Sequence, residues 1–356
     1  MPEQAGRPRS GIAGRRATRA FPLGVAVLLG VVLPVGAAGV AAAEEPAAPA
    51  VRCSITEPAL AEISGLVDLG ERMLVMNDGG DRVSVTVLDG GCQVLETRTA
   101  DVDPYDPEDL ALGADGTIWL ADAGDNNATR ATVALIALRP NGSAVVHRLS
   151  YPDGAHDSEA LLLAPDGTPY LVTKEVLGSS GVYRPTAPVS AEATVPMERV
   201  ATVNMTLTGT AGGPVGRAGQ LLVTGGAVAG DGHALALRTY TDAYVWPLVG
   251  SDVVGALAGT PVRTALPDSP QGEAISFTAD NAQLLVASEG VPGDVVVVPI
   301  PAGSASPAAE PSDGPVPSLS DLTSSGRSPV TSALIAAAVA TVVVWLGAKF
   351  RRRPKP

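Results

Sequence analysis

The sequence predicts an all-β protein: a β-propeller of five or six four-stranded blades, with a C-terminal transmembrane helix. Between residues 51 and 301, short apolar runs alternate with Gly, Pro, Asp and Asn turns, and no amphipathic helix of three turns interrupts them. A hairpin pattern also recurs there at spacings of 46, 51, 65 and 49 residues. All-β repeats of about 40–50 residues are typical of propellers.

The repeated hairpin is clearest in residues 157–175, where two apolar runs flank the turn Asp166-Gly167. In each copy the first residue stands seven positions before the turn. The copies begin at Glu62, Glu108, Glu159, Thr224 and Glu273. The last copy has room for about three strands, so we expect a strand near residues 51–56 to supply its missing edge. Residues 176–222 and 248–270 are long enough to hide a sixth blade.

The N-terminal segment 1–43 has the composition of a signal peptide. Five arginines precede an apolar run at 21–35, and three alanines at 41–43 suit cleavage. We expect secretory export, with the pair Arg15-Arg16 leaving the twin-arginine route open.

The C-terminal segments predict a membrane anchor. Residues 302–329 are rich in Pro and Ser and indicate a stalk. Residues 330–348 are apolar over the length of a spanning helix, and the basic residues 349–356 should stay cytoplasmic. The sequence therefore predicts a single-pass cell-membrane protein whose propeller domain, residues 44–301, is extracytoplasmic.

Charge and cysteine content restrict the partners. Residues 44–348 hold 14 basic and 36 acidic side chains, a net charge of −22, which disfavours binding to nucleic acid. Cys53 and Cys92 are the two cysteines, and in an exported protein they predict a disulfide. The remaining partners are a small ligand, a protein of the cell envelope and, through the predicted helix, the membrane.

Blade geometry predicts an acidic mouth of the central channel. The first strand of a blade lines the channel and the second returns beside it, so the start of one and the end of the other share a face. Oxygen ligands there favour Ca²⁺ or Mg²⁺. The candidate metal ligands are Glu62, Asp78, Glu108, Asp122, Asp125, Glu159 and Glu273. The alternative is that the Glu side chains cap backbone amides and that the Asp loops form Asx turns.

The same face carries candidate ligand-binding residues. These are Lys174, Glu175, Arg238, Tyr240 and Glu289. Lys174, Arg238 and Arg130 either bind a phosphate or carboxylate or pair with neighbouring carboxylates. No nucleophile elbow, P-loop or histidine metal spacing occurs, so the sequence identifies no catalytic residue and leaves open whether the protein is an enzyme.

Seven short motifs recur around the predicted mouth: Asn77-Asp-Gly-Gly-Asp81, Asp106-Pro-Glu-Asp-Leu110, Gly124-Asp-Asn-Asn127, Asp157-Ser-Glu-Ala-Leu161, Tyr170-Leu-Val-Thr-Lys174, Leu237-Arg-Thr-Tyr240 and Gln271-Gly-Glu-Ala274. With these motifs the chain resembles exported bacterial β-propeller proteins that are loosely described as phytase-like or esterase-like. The resemblance covers residues 60–300. It implies the propeller fold more specifically than any activity.

Taken together, the sequence predicts a membrane-anchored extracytoplasmic propeller that binds a ligand, a cation or a protein partner at its acidic mouth. Two alternatives remain open at this stage. One is a metal-dependent phosphoesterase in which Lys174 or Arg238 holds phosphate. The other is a structural protein of the cell envelope.

Overall fold

A computed structural model describes residues 48–301, which form twenty β-strands, two 3-10 helices and one α-helix. The strands group into five four-stranded antiparallel units, in which short apolar runs alternate with tight turns. Unit 1 contains β2 (Ile63–Asp68), β3 (Arg72–Asn77), β4 (Val83–Asp89) and β5 (Val94–Ala100). Unit 2 contains β6 (Pro107–Leu112), β7 (Ile118–Asp122), β8 (Val133–Leu138) and β9 (Ala144–Ser150).

Units 3 and 4 repeat this order. Unit 3 contains β10 (Ser158–Leu163), β11 (Pro169–Thr173), β12 (Ser179–Pro185) and β13 (Val195–Asn204). Its last strand pairs in parallel with β9 over two residues, which joins units 2 and 3 into an eight-stranded sheet. Unit 4 contains β14 (Val223–Val228), β15 (Ala234–Thr239), β16 (Asp242–Pro247) and β17 (Val262–Ala265).

Unit 5 combines the two ends of the described chain. It contains β18 (Gly272–Phe277), β19 (Gln283–Ser288), β20 (Gly293–Pro299) and β1 (Ala50–Ile55). The N-terminal strand β1 pairs antiparallel with β20, as predicted. The predicted disulfide is also confirmed, because Cys53 of β1 is bonded to Cys92 in the β4–β5 turn. It ties unit 5 to unit 1.

The first strands of the five units form the inner wall of a ring. β2 contacts β6, β6 contacts β10, β10 contacts β14, β14 contacts β18, and β18 contacts β2. Five apolar clusters fill the spaces between neighbouring units, so the core is distributed around the ring. A closed ring of radially arranged antiparallel sheets is the architecture of a β-propeller.

The two long connections contain few regular elements. Residues 205–222 include the 3-10 helix Gly216–Gln220, and residues 248–261 include the five-residue helix α1 (Val253–Leu257). The other 3-10 helix is Pro58–Leu60. Residues 176–222 otherwise contribute β12 and β13 to unit 3, while residues 248–270 contribute β17 to unit 4.

The predicted localisation requires a correction. Within residues 48–301 no helix is long and apolar enough to cross a membrane, and α1 has five residues. A single-pass membrane protein is therefore not supported. The predicted signal peptide (1–43), stalk (302–329), spanning segment (330–348) and basic tail (349–356) lie outside the described residues.

Candidate functional site

One position recurs at the start of every innermost strand. In each unit the pairing of the first two strands shifts there by a β-bulge. A bulge redirects a side chain and is common next to functional sites. The residues at this position, which we name the inner column, are Ser64, Glu108, Glu159, Thr224 and Glu273. All five are buried, although three of them are acidic.

The inner column corrects the predicted alignment of unit 1, because Ser64 rather than Glu62 matches Glu108. The reason is a different turn. Leu69 N donates to Arg72 O in unit 1, whereas Gly113 N donates to Thr117 O in unit 2, so the first turn is one residue shorter. Its glycine, Gly70, comes one residue after the donor, whereas Gly116 comes three residues after it, so matching the two glycines shifts the alignment by two residues. The prediction of four equivalent Glu side chains is therefore reduced to three.

A second set of positions lies two residues before the inner column. This outer column contains Glu62, Asp106, Asp157, Leu222 and Gln271. Backbone carbonyls of the outer column accept hydrogen bonds from the residues that follow the second strands. Glu62 O accepts from Asp78 N at 2.9 Å, and Asp157 O accepts from Lys174 N at 2.8 Å. Gln271 O accepts from Glu289 N at 2.9 Å. The mouth therefore combines two columns of side chains with the strand ends.

Units 2 and 3 bring three carboxylates together. Glu108, Asp157 and Glu159 each offer one oxygen, and these oxygens lie within 4.8 Å of one another. We name them the carboxylate trio. Glu159 Oε1 accepts a hydrogen bond from Lys174 Nζ, while its Oε2 is buried and has no hydrogen-bond partner among the described residues. Asp157 Oδ1 accepts from Asp125 N at 2.8 Å.

Burial makes these carboxylates hard to ionise. It raises the pKa of Glu108 well above its usual value, and the charge of Glu159 adds to that shift. Burial also raises the pKa of Glu159, which the Lys174 ammonium offsets in part. Burial also raises the pKa of Asp157, and the charge of the Lys174 ammonium counteracts part of that rise. Next to the trio, burial and the charge of Asp157 raise the pKa of Asp106 to about 7. The cluster therefore requires protons or a cation.

Lys174 is the one ammonium that residues 48–301 place in this part of the mouth. Its side chain is largely buried, contacts Glu159 and lies 5.3 Å from the centre of the Tyr240 ring. Burial alone would lower the pKa of Lys174, but the charge of Glu159 reverses this and raises it. Lys174 is therefore charged and already paired, as the pairing alternative predicted.

Glycine at position 124 makes room for the acidic side chains. A Cβ there would overlap Glu108 Oε1 and lie 2.6 Å from Asp106 Oδ2. The carboxylates can approach the backbone only because no side chain is present. This residue belongs to the loop after β7, between Asp122 and Asp125.

Asp122 and Asp125 organise that loop. Asp122 Oδ1 accepts from Asp106 N at 2.9 Å and pairs with Arg130 Nη2 at 3.1 Å. Asp125 Oδ2 accepts from Thr129 N at 2.7 Å and from Arg130 N at 2.6 Å. Both carboxylates therefore cap backbone N–H groups, and they do so over more residues than the two of an Asx turn. Arg130 also stacks over the Tyr105 ring at 4.4 Å.

Units 4 and 5 present a different set of side chains. Gln271 Nε2 donates to Glu273 Oε1 at 3.2 Å and to Glu289 Oε1, and Tyr240 OH lies 3.5 Å from Glu273 Oε1. Burial, with the charge of Glu273, raises the pKa of Glu289 to about 10. Glu289 is consequently protonated at neutral pH. Arg238 reaches between units 4 and 5 and bonds to backbone carbonyls.

The remaining predicted residues lie around these two groups. After burial and Glu273, the charges of Asp78 and Glu62 also help to raise the pKa of Glu289, so both lie close enough to unit 5 to act on it. Glu175 accepts from Thr173 Oγ1 at 3.1 Å and lies 3.6 Å from His156 Nδ1. Of the seven predicted metal ligands, Glu108 and Glu159 belong to the trio.

Two important acidic residues were not among the predicted site residues. Asp157 completes the trio, and the repeated Asp-x-Glu of 106–108 and 157–159 was a visible signal for it. Asp109 lies inside the ring and is buried. Its carboxylate accepts from Leu110 N and Leu161 N, both at 2.8 Å, and from Gly226 N at 3.1 Å. It therefore links units 2, 3 and 4 across the channel.

No protein-family model matches the chain, and a search of curated proteins finds no match. Among solved structures, a gluconolactonase from Xanthomonas campestris is 19% identical, with a TM-score of 0.40 over 68% of this chain and 73% of its own. A virginiamycin B lyase from Staphylococcus aureus is 13% identical, with a TM-score of 0.34 over 67% of each chain. The WD40 repeats of RRP9 are 14% identical, with a TM-score of 0.35 over 67% of each chain.

These similarities are too weak to carry an argument about this chain. The propeller architecture rests on the strand pairing and on the ring of first strands.

Proposed function

We propose that this protein binds a divalent cation of the calcium type at the acidic mouth of its propeller, through Glu108, Asp157 and Glu159. The observation that carries the proposal is the convergence of three carboxylate oxygens within 4.8 Å, next to a buried Glu159 Oε2 that has no hydrogen-bond partner among the described residues. A buried carboxylate oxygen without a donor is costly, and a cation bound to it removes that cost.

The donor set favours calcium over the other common ions. Calcium binds oxygen at about 2.3–2.6 Å, so two ligands on opposite sides of one ion lie about 4.6–5.2 Å apart. The trio satisfies this limit. Magnesium, with bonds of about 2.0–2.1 Å, needs a tighter cluster and is the second ion to test. Nitrogen and sulfur ligands, which zinc prefers, do not contribute to the trio.

We further propose that the five units are five blades, closed by β1 in unit 5. The ring of contacts among β2, β6, β10, β14 and β18 supports this number. In such a ring the trio lies at the junction of blades 2 and 3, where the outer and inner columns are both acidic.

The two other functions predicted from the sequence draw less support. A phosphoesterase needs basic side chains beside the trio that are available to phosphate, yet Lys174 is paired with Glu159 and Arg130 with Asp122. The guanidinium of Arg238 lies against the backbone of unit 5 instead. A purely structural envelope protein does not account for a buried carboxylate oxygen that has no donor within residues 48–301.

The test is a calcium titration of the full chain by calorimetry, with the double variant Glu108→Gln/Glu159→Gln beside it. We expect one saturable site whose affinity falls by at least about tenfold in the variant, because each substitution removes a charged ligand. Glu273→Gln is the matched control, since Glu273 occupies the same inner column outside the trio. A wild-type chain that shows neither binding heat nor thermal stabilisation with millimolar calcium or magnesium would rule the proposal out.

A further inference from the structure

A cleft of about 910 Å³ lies beside unit 5, away from the carboxylate trio. The β17–β18 connection forms one wall and the β19–β20 connection forms another. Val51 of β1 and Pro49, which precedes that strand, also line the cleft. Much of the lining is apolar, from Leu266, Pro267, Pro270, Val291 and Pro292. A cavity of this size with an apolar lining and a few polar groups is typical of a small-molecule site.

Arg238 lines this cleft, although its side chain is 1% exposed. Its Nη1 donates to Ala274 O at 2.8 Å and Ala287 O at 3.1 Å, and its Nε donates to Thr239 O at 3.2 Å. These bonds use three of the five N–H groups and fix the plane of the guanidinium. The two N–H groups on Nη2 donate no hydrogen bond to any residue from 48 to 301.

This arginine also has no ion-pair partner in direct contact. Across residues 48–301, no carboxylate lies within ion-pair distance, 4.0 Å, of Arg238. Burial lowers the pKa of Arg238 to about 10 although the charge of Glu273 opposes that shift, so the guanidinium keeps its charge at neutral pH. Burying a charge is costly, and a carboxylate in direct contact with the guanidinium offsets more of that cost than the more distant Glu273 does.

A second donor stands next to Nη2. A Cβ on Gly272 would overlap Arg238 Nη2 and lie 2.7 Å from Ser269 Oγ, so both groups border the same glycine. Ser269 Oγ makes no hydrogen bond within the described part of the chain. The hydroxyl and the guanidinium therefore present two adjacent free donors to the cleft.

We propose that this cleft binds an organic monocarboxylate, whose oxygens accept hydrogen bonds from Arg238 Nη2 and Ser269 Oγ and whose apolar body packs against the proline and leucine wall. Guanidinium and carboxylate groups match in geometry and charge. A phosphate dianion is disfavoured because the carboxylates of Asp268 and Asp294 also line the cleft and repel a dianion more than a monoanion. In addition, the 13 basic and 31 acidic side chains of residues 48–301 repel a second negative charge.

The experiment compares benzoate with benzamide, its neutral isostere, by saturation-transfer NMR on the full chain in the presence of EDTA. We expect saturable benzoate binding and at least tenfold weaker benzamide binding. Ser269→Ala should weaken benzoate about tenfold, because it removes one hydrogen bond to a charged group. Arg238→Met should abolish binding, with Arg217→Met, an exposed arginine, as the control of equal net charge.

Equal binding of benzoate and benzamide, or benzoate binding unchanged in Ser269→Ala, would overturn the proposal. Displacement of benzoate by a lower concentration of inorganic phosphate would overturn the assigned ligand class. If Arg238→Met does not fold, the comparison of benzoate with benzamide and the Ser269→Ala variant still test the proposal. The Glu108→Gln/Glu159→Gln variant should bind benzoate normally, which separates this site from the proposed cation site.

Discussion

The two sides of the propeller mouth have the same arrangement of strands but carry different numbers of acidic side chains. In units 2 and 3 the outer and inner columns both carry acids, in the motifs Asp106-Pro-Glu108 and Asp157-Ser-Glu159. In units 4 and 5 the corresponding pairs are Leu222 with Thr224 and Gln271 with Glu273. The first side therefore concentrates carboxylates around one ammonium, while the second dilutes them with an amide, a hydroxyl and an apolar side chain.

The comparison explains why only one side is a candidate cation site. On the side of units 4 and 5, Gln271 and Tyr240 supply donors to Glu273, and Glu289 holds a proton. On the side of units 2 and 3, Glu159 Oε2 has no donor among the described residues. A buried carboxyl group can be stabilised either by neutral hydrogen-bond donors or by a cation. The residues of the inner and outer columns determine which kind of partner each side of the mouth offers.

Removing the ammonium should produce the largest effect. Lys174→Met leaves Glu159 without its cation, and breaking a buried pair from one side costs about 3–5 kcal/mol of unfolding free energy. Urea denaturation at pH 8 measures the loss, and added calcium should restore part of it. The deficit should shrink at pH 5, because protonation neutralises the isolated carboxyl.

The control for that variant is Arg184→Met, which breaks the exposed pair with Glu198. An exposed pair contributes less than about 1 kcal/mol. Similar losses in Lys174→Met and Arg184→Met would show that Lys174 is not needed to balance the trio.

Asp109 should matter to both sides, because its carboxylate joins units 2, 3 and 4. Asp109→Ala leaves the N–H groups of Leu110, Leu161 and Gly226 without this acceptor. Each unsatisfied buried donor costs about 1–3 kcal/mol, and partial relaxation should limit the total to about 3 kcal/mol. Hydrogen exchange should detect faster exchange at Leu161 and Gly226, in units 3 and 4 alike. Protection that changes in unit 2 alone would contradict the bridging role.

A smaller effect is expected from Gly124→Ala, which pushes a methyl group into Glu108 and Asp106. Overpacking of this kind costs about 1–3 kcal/mol, and it should also weaken calcium binding by displacing Glu108. Gly79→Ala is matched to it, because a Cβ there would lie 3.7 Å from Glu62 Oε2, an ordinary contact. Calorimetry and thermal melting of the two variants should differ clearly. Equal behaviour would mean that the trio does not depend on its close approach to residue 124.

Local patterns in the sequence were sufficient to predict the repeat, the closing strand β1 and the disulfide. Strand period and turn residues act over a few positions, so they are readable without the fold. The alignment of Glu62 was wrong because Leu69-Gly70 resembles the Asp-Gly turns although its hairpin loop is shorter. A turn motif identifies a turn and does not fix its length.

The site residues that were missed depend on contacts between distant segments. Asp109 is defined by amides 52 and 117 residues away, which no local pattern indicates. Arg238 was predicted as a ligand-binding residue of the mouth. It lies near the end of β15, and its side chain passes between units 4 and 5 to reach Ala274 and Ala287. The direction of a long side chain is set by packing, so sequence position alone could not separate the cleft from the mouth.

The smallest expected effect comes from the side of units 4 and 5, and it is a gain in stability rather than a loss. The pKa of Glu289 is raised to about 10, whereas an unfolded Glu titrates near 4.5. Between these values the unfolded state has lost the proton that the folded state retains, so stability falls as pH rises from about 4.5 to about 10. Glu289→Gln removes this loss while its amide oxygen can still accept from Gln271 Nε2. Because Glu289 is partly exposed, water screens its surroundings, and we expect a gain of only about 1 kcal/mol at pH 8. That gain corresponds to roughly 2–4 °C in Tm.

The gain from Glu289→Gln should vanish at pH 4, and the exposed Glu192→Gln should show no such pH dependence. A gain that is equal at pH 5 and pH 9, or a less stable variant at pH 9, would mean that Glu289 is ionised in the folded protein and that the two sides of the mouth carry charge in the same way.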